Sequence, residues 1–221
     1  MTVRQLPLDL SPPPDPTLSN FVVGSNDELL ARLSAVAAGE PDEPVIFLWG
    51  DPGCGRTHLL RAVATASRSA VYLAADAEYA AAEQARVVVV DDVERLDASR
   101  QSVLFGLLNR ARETNGAVVA AGPVPPAELA LREDLKTRLG WGLVYRVHPL
   151  SDDDKARHLR AEAARRGLRL PDEVVSYLLA RAPRNLHSLL DVLDRLDRQS
   201  LARHRPVTVP LVRELLGGSD E

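Results

Sequence analysis

The chain has 221 residues, enough for one large domain or two small ones with a self-sufficient core. Lys plus Arg number 27 against 31 Asp plus Glu, a net charge of -4, which excludes a protein that holds nucleic acid mainly by bulk positive charge. The single cysteine excludes an intramolecular disulfide framework and any multi-cysteine metal site. No apolar run approaches the roughly 18–20 residues of a membrane span, and no secretion signal opens the chain, so a cytoplasmic protein with no membrane partner is expected.

In chain order, the first 19 residues stand apart as a leader, with Ser11 to Pro16 a proline-rich, semi-stiff spacer. Asn26 to Ala38 carries Leu29, Leu30, Leu33 and Val36 at helical spacing. Val45 to Trp49 is a buried strand, followed by a helix from Thr57 to Ser67. Ala70 to Ala74 and Val87 to Val90 are the next strands, joined by a short crossover over Asp76 to Arg86. A helix from Ser99 to Thr114, a strand from Ala117 to Ala121 and a strand at Tyr145 to Val147 complete the alternation. This pattern predicts an α/β fold with a five-stranded parallel sheet. From Ser151 only helices follow: Asp152 to Arg166, Pro171 to Arg181, Arg184 to Arg203 and Thr208 to Leu216. The expected organisation is a leader over 1–19, a nucleotide-binding domain over 20–150 and a small helical domain over 151–221.

Gly50, Asp51, Pro52, Gly53, Cys54, Gly55, Arg56 and Thr57 lie between a predicted strand and a predicted helix. That is the setting of a phosphate-binding loop, whose backbone N–H groups and helix N-terminus cradle phosphates while Thr57 places its hydroxyl on Mg²⁺. Arg56 stands where lysine is usual, giving a planar fork in place of a compact ammonium. Val87 to Val90 runs into Asp91, expected to hold Mg²⁺, and Asp92, expected to polarise water. Phe21 and Val22 precede the loop strand, either lining an adenine face or clipping onto the core. Cys54 reads as a small filler rather than a reactive thiol.

These features, with Arg138-Leu-Gly-Trp141-Gly-Leu143 and Pro149-Leu-Ser-Asp-Asp-Asp-Lys155, resemble the AAA+ module of the replication initiator DnaA. The resemblance covers about residues 20 to 216 and reaches His58 in the loop helix. Within that branch the chain is most similar to the Hda group, the DnaA-homologous inactivators of DnaA: neither a DnaA-type DNA-binding domain nor an N-terminal oligomerisation domain is expected. Arg56 also fits that group.

The resemblance implies a P-loop AAA+ module with a helical lid, binding ADP or ATP with Mg²⁺. It implies that Gln5, Leu6, Leu8 and Leu10 bind the DNA sliding clamp, the beta subunit of DNA polymerase III. Physically, an extended segment with Pro7 loses little entropy when its glutamine and leucines enter pockets. It implies that Arg138 is an arginine finger acting in trans on DnaA, and that Arg184 is the lid arginine that touches phosphates. Ala121-Gly122-Pro123 supplies no polar residue at its strand tip, so weak hydrolysis by the chain itself is expected. Self-association is allowed. Strong direct DNA binding is not expected, because residues 151–221 hold 13 Lys plus Arg against 12 Asp plus Glu. A free-standing ATPase of clamp-loader type, and an accessory or adaptor acting at origin DNA, remain as alternatives.

Overall fold

In a computed structural model of the chain, the residues described are 15–79, 82, 84–183, 185–203 and 206–217. They divide into two compact units, Asp15–Pro149 and the residues from Leu150 onward. None of the described helices is long and apolar enough to cross a membrane.

The first unit contains helices α1 (Asp27–Ala38), α2 (Arg56–Ala66), α3 (Ala98–Glu113) and α4 (Glu133–Gly140). Its strands are β1 (Val45–Trp49), β2 (Ala70–Leu73), β3 (Val87–Val90), β4 (Ala117–Gly122) and β5 (Leu143–Arg146). They form one parallel sheet in the order β2-β3-β4-β1-β5. Successive strand residues point to opposite faces, so each apolar strand feeds two cores. Phe47, Val88, Val90, Val118 and Ala120 meet Leu104 and Leu108 of α3 and Leu135 and Leu139 of α4. Ile46, Leu48, Val87, Val89 and Val119 meet Leu29 and Leu33 of α1 and Leu59, Leu60 and Val63 of α2. The result is a three-layer sandwich with the sheet in the middle.

The expected strands and most helices form within one or two residues of their sequence-read limits. Helix α4 is an addition to that reading. It has eight residues, and only Leu135 and Leu139 are buried, too short a stripe to register as periodicity. The crossover from β2 to β3 is built of turns among its described residues, with Tyr79 and Ala82 pressed into the α3 core. Arg110 of α3 closes this crossover by donating to the carbonyls of Ala82 and Ala85 at 2.7 and 2.8 Å.

The second unit contains α5 (Asp152–Arg165), α6 (Asp172–Arg181), α7 (Leu186–Arg203) and α8 (Val209–Gly217). Ser151 and Asp154 cap α5 reciprocally, and three aspartates occupy its first turn, where the helix dipole favours negative charge. Leu159, Leu178, Leu189, Leu193, Leu196 and Val212 make its core.

Candidate functional site

The loop between β1 and α2 is shaped by glycine. Gly50, Gly53 and Gly55 have φ of 153°, 79° and 108°, a region that side chains disfavour. Space reinforces this at two of them. A Cβ on Gly50 would lie 2.8 Å from the Val147 carbonyl oxygen, and one on Gly55 would lie 2.8 Å from Cε2 of Phe21. Gly55 leads directly into α2, whose first residue is Arg56. Asp51, Pro52, Gly53 and Thr57 are exposed, whereas Gly50 is buried. An exposed turn of backbone donors, a helix N-terminus and an exposed Thr57 hydroxyl fit the polyphosphate of a Mg-nucleotide. Cys54 is half-buried, and burial pushes its thiol up, as befits a filler.

The segment before α1 packs as a clip. Leu18 and Phe21 join the α1–α2 core, Phe21 lies 5.6 Å from the His58 ring, and His58 Nε2 is 3.0 Å from the Thr17 carbonyl oxygen. Val22 is half-buried. Asn26, 3% exposed, pins the clip: its amide donates to the carbonyls of Val23 and His148, and its oxygen accepts from the His148 N–H at 2.8 Å. Sequence reading placed Asn26 only as a helix start, and nothing local marks a partner 122 positions away.

At the end of β3, Asp91 is buried and its two oxygens are engaged. Oδ2 accepts from the Tyr72 hydroxyl at 2.8 Å, and Oδ1 from the Asp92 N–H at 3.0 Å. A carboxylate offers about four lone-pair sites, which leaves capacity for a cation or its water. Tyr72, unmarked in the sequence except as a polar tip in an apolar strand, orients this carboxylate. Its phenol is pushed up to about 12, first by burial and then by the hydrogen bond to Asp91. Asp92 takes φ 48° and faces Arg95 at 3.6 Å in an exposed pair. Glu94 is a further carboxylate that the sequence reading passed over. Burial holds its carboxyl above the usual range, the charges of Asp92 and Asp91 add to this, and Arg56 opposes it. Its Oε2 is buried with no hydrogen-bond partner. The tip of β4, Ala121-Gly122, has no polar side chain.

Arg138 occupies the last turn of α4. Its guanidinium carbon lies 4.1 Å from the centre of the Trp141 ring and 5.3 Å from that of Phe105. With Trp141, Glu43, Pro44 and Val45 it borders a small cavity at the N-terminal end of β1. The phosphate loop leaves the opposite end, after Trp49. Five strand residues separate the two ends by about 13 Å, so Arg138 does not serve its own loop. Gly142 follows at once, and a Cβ there would lie 2.0 Å from the Val45 carbonyl oxygen. Arg184 and the segment holding Gln5, Leu6, Leu8 and Leu10 lie outside the described residues.

Comparison with known proteins agrees with this architecture. A family model for the lid domain of Hda matches residues 152–216, and one for the bacterial DnaA ATPase domain matches residues 14–85. An uncharacterised protein of Haemophilus influenzae is 33% identical over 228 residues, covering 96% of this chain and 98% of its own length. Domain III of the replication initiation protein DnaA of Thermotoga maritima superposes with a TM-score of 0.78 at 21% identity, covering 94% of this chain and 98% of that one. DnaA of Aquifex aeolicus, solved with AMPPCP, superposes with a TM-score of 0.71 at 22% identity, covering 83% of this chain and 65% of that one. At these identities the two structures attest the fold, whereas the two sequence models together place both units in one family. The chain belongs to the Hda/DnaA-like AAA+ proteins.

Proposed function

We propose that this chain is a regulatory inactivator of DnaA. It binds ADP or ATP with Mg²⁺ at the Gly50–Thr57 loop, with Asp91, oriented by Tyr72, on the cation side. Arg184 completes the phosphate contacts from the lid, and Asp92 polarises water. Its leader, through Gln5, Leu6, Leu8 and Leu10, tethers it to the sliding clamp on DNA. Arg138 is then offered to the ATP of a DnaA molecule. A guanidinium supplied in trans stabilises charge on the transferring phosphoryl group and raises hydrolysis by roughly 10³–10⁵.

The observation that carries this reading is the position of Arg138. It stands at the strand end away from its own phosphate loop, stacked on Trp141 at a half-exposed edge. A guanidinium so placed serves a neighbouring molecule's phosphates or none. The apolar tip of β4 speaks against a free-standing motor, because it supplies no polar group to an attacking water.

Tethering works by local concentration, so a weak direct contact with DnaA suffices. The test measures hydrolysis of DnaA-bound ATP with clamp-loaded DNA, comparing the intact chain with one lacking residues 1–10. The shortened chain is expected to lose stimulation at low concentration and regain it at high concentration. Equal stimulation at every concentration would remove the clamp from the mechanism.

A further inference from the structure

Arg138 shares its platform with a second arginine. The guanidinium carbon of Arg112, near the end of α3, lies 5.0 Å from the centre of the Trp141 ring that Arg138 approaches to 4.1 Å. The two guanidinium carbons are therefore no more than about 9 Å apart, and both residues border the same small cavity. Neither guanidinium lies within 4 Å of a carboxylate among the described residues, although Glu43 sits on the cavity rim and Glu113 follows Arg112 in the chain. Two like charges held this close, with no carboxylate in contact, repel each other and favour an anion between them. Elsewhere in the chain arginines do take carboxylates: Arg160 holds Asp172 at 2.8 Å, and Arg165 holds Glu162 at 2.6 Å.

Aromatic stacking explains what such a pair is suited for. A guanidinium that rests its face on a ring leaves the N–H donors around its rim free. A carboxylate partner would consume those donors. Trp141 is 52% exposed, Arg112 is exposed and Arg138 is half-buried, so the platform is open to solvent.

We propose that Arg112 and Arg138 form a single anion site, mounted on Trp141, that takes the phosphate oxygens of a nucleotide presented by a partner molecule. The proposal rests on the trans role of Arg138 given above and adds Arg112 as a second contacting guanidinium. Two planar forks within this span address different oxygens of one polyphosphate, and the charge of Arg112 also disfavours any partner surface that brings a cation. An acidic side chain on the partner is the competing occupant, and it would affect docking without affecting turnover.

The experiment titrates the chain into ATP-loaded DnaA in the presence of clamp-loaded DNA and separates the maximal hydrolysis rate from the half-saturating concentration. Arg112→Gln keeps most of the aliphatic stem and removes the charge. It is expected to lower the maximal rate about tenfold, less than the roughly 10²–10³ carried by a buried oxyanion donor, with little change in half-saturation. Arg112→Lys, which keeps the charge and loses the fork, is expected to fall between the two. A full maximal rate in Arg112→Gln, or a change confined to half-saturation, overturns the proposal. If Arg112→Gln melts early, Arg112→Lys decides: a reduced maximal rate supports the fork contact and a full rate overturns it. Arg138→Ala serves as the reference. Stimulation that survives Arg138→Ala sinks the trans reading itself, whereas stimulation lost with Arg138 and kept without Arg112 sinks only the paired site.

Discussion

The two ends of β1 carry the two proposed anion sites, and these are built by different means. At the C-terminal end the site is backbone: a loop of glycines at positive φ leads into α2, and buried Asp91 stands at the end of β3, with β4 between it and β1. At the N-terminal end the site is side chain: arginines laid on an exposed indole. The backbone site is shaped by positive φ values that no rotamer change alters, and at Gly50 by the Val147 carbonyl. The side-chain site is held by ring stacking, worth about 0.5–1 kcal/mol per contact when exposed, and can rearrange against a partner. A permanent ligand suits the first and a transient encounter suits the second.

The contrast breaks most visibly at Gly142, where the side-chain site depends on backbone after all. The Cβ of Gly142→Ala would sit 2.0 Å from the Val45 carbonyl oxygen, so β1 or the Trp141 turn must move. We expect a loss of about 3 kcal/mol, at the upper end of overpacking costs, read as an early melting transition. An unchanged melt would mean that the turn is free to shift.

Gly55→Ala sharpens the comparison at the other end. Its φ of 108° is strained for any side chain, and Phe21 Cε2 would be 2.8 Å away. Affinity for a fluorescent ADP analogue is expected to fall about tenfold, matching a backbone strain of 1–2 kcal/mol. Adding Phe21→Ala relieves the crowding and not the φ, so the double variant should remain weak. Full recovery in the double variant would assign the effect to packing alone.

The smallest effect belongs to Tyr72→Phe, which removes the hydrogen bond to Asp91 and should cost about 1 kcal/mol. The phenol titrates near 10 in the unfolded chain and is pushed up to about 12 in the folded one. Its support is therefore complete below about pH 10 and is lost as pH rises toward 12. Denaturant melts of the two chains should differ by a constant amount up to about pH 10 and converge above it. A difference that grows with pH would contradict the assigned partner.

Legibility in the sequence follows the same division. The shape of the loop and the strand end at Asp91-Asp92 were readable because each lies within a few consecutive residues after an apolar strand. Glycine spacing reports backbone shape directly. The partners of those residues were not readable. Tyr72 meets Asp91 from the adjacent strand, Asn26 meets His148 across 122 positions, and Gly142 lies against Val45. Arg112 carried no signal at all, because a stack on Trp141 depends on how α3 and α4 pack. Phe21 packs on the core and lies against Gly55 of the loop, which is compatible with either reading given for it. The roles of Arg138 and Arg184 were read from resemblance, and that of the leader motif from resemblance joined to its extended, apolar character.

The central claim is that Arg138 acts on a triphosphate held by another molecule. Single-turnover hydrolysis of labelled ATP preloaded on DnaA, with clamp-loaded DNA and either the intact chain or Arg138→Ala, tests it most directly. The account predicts that the variant keeps its fold and its ADP affinity and loses at least about 10³-fold of the stimulation. Stimulation equal to that of the intact chain would contradict it.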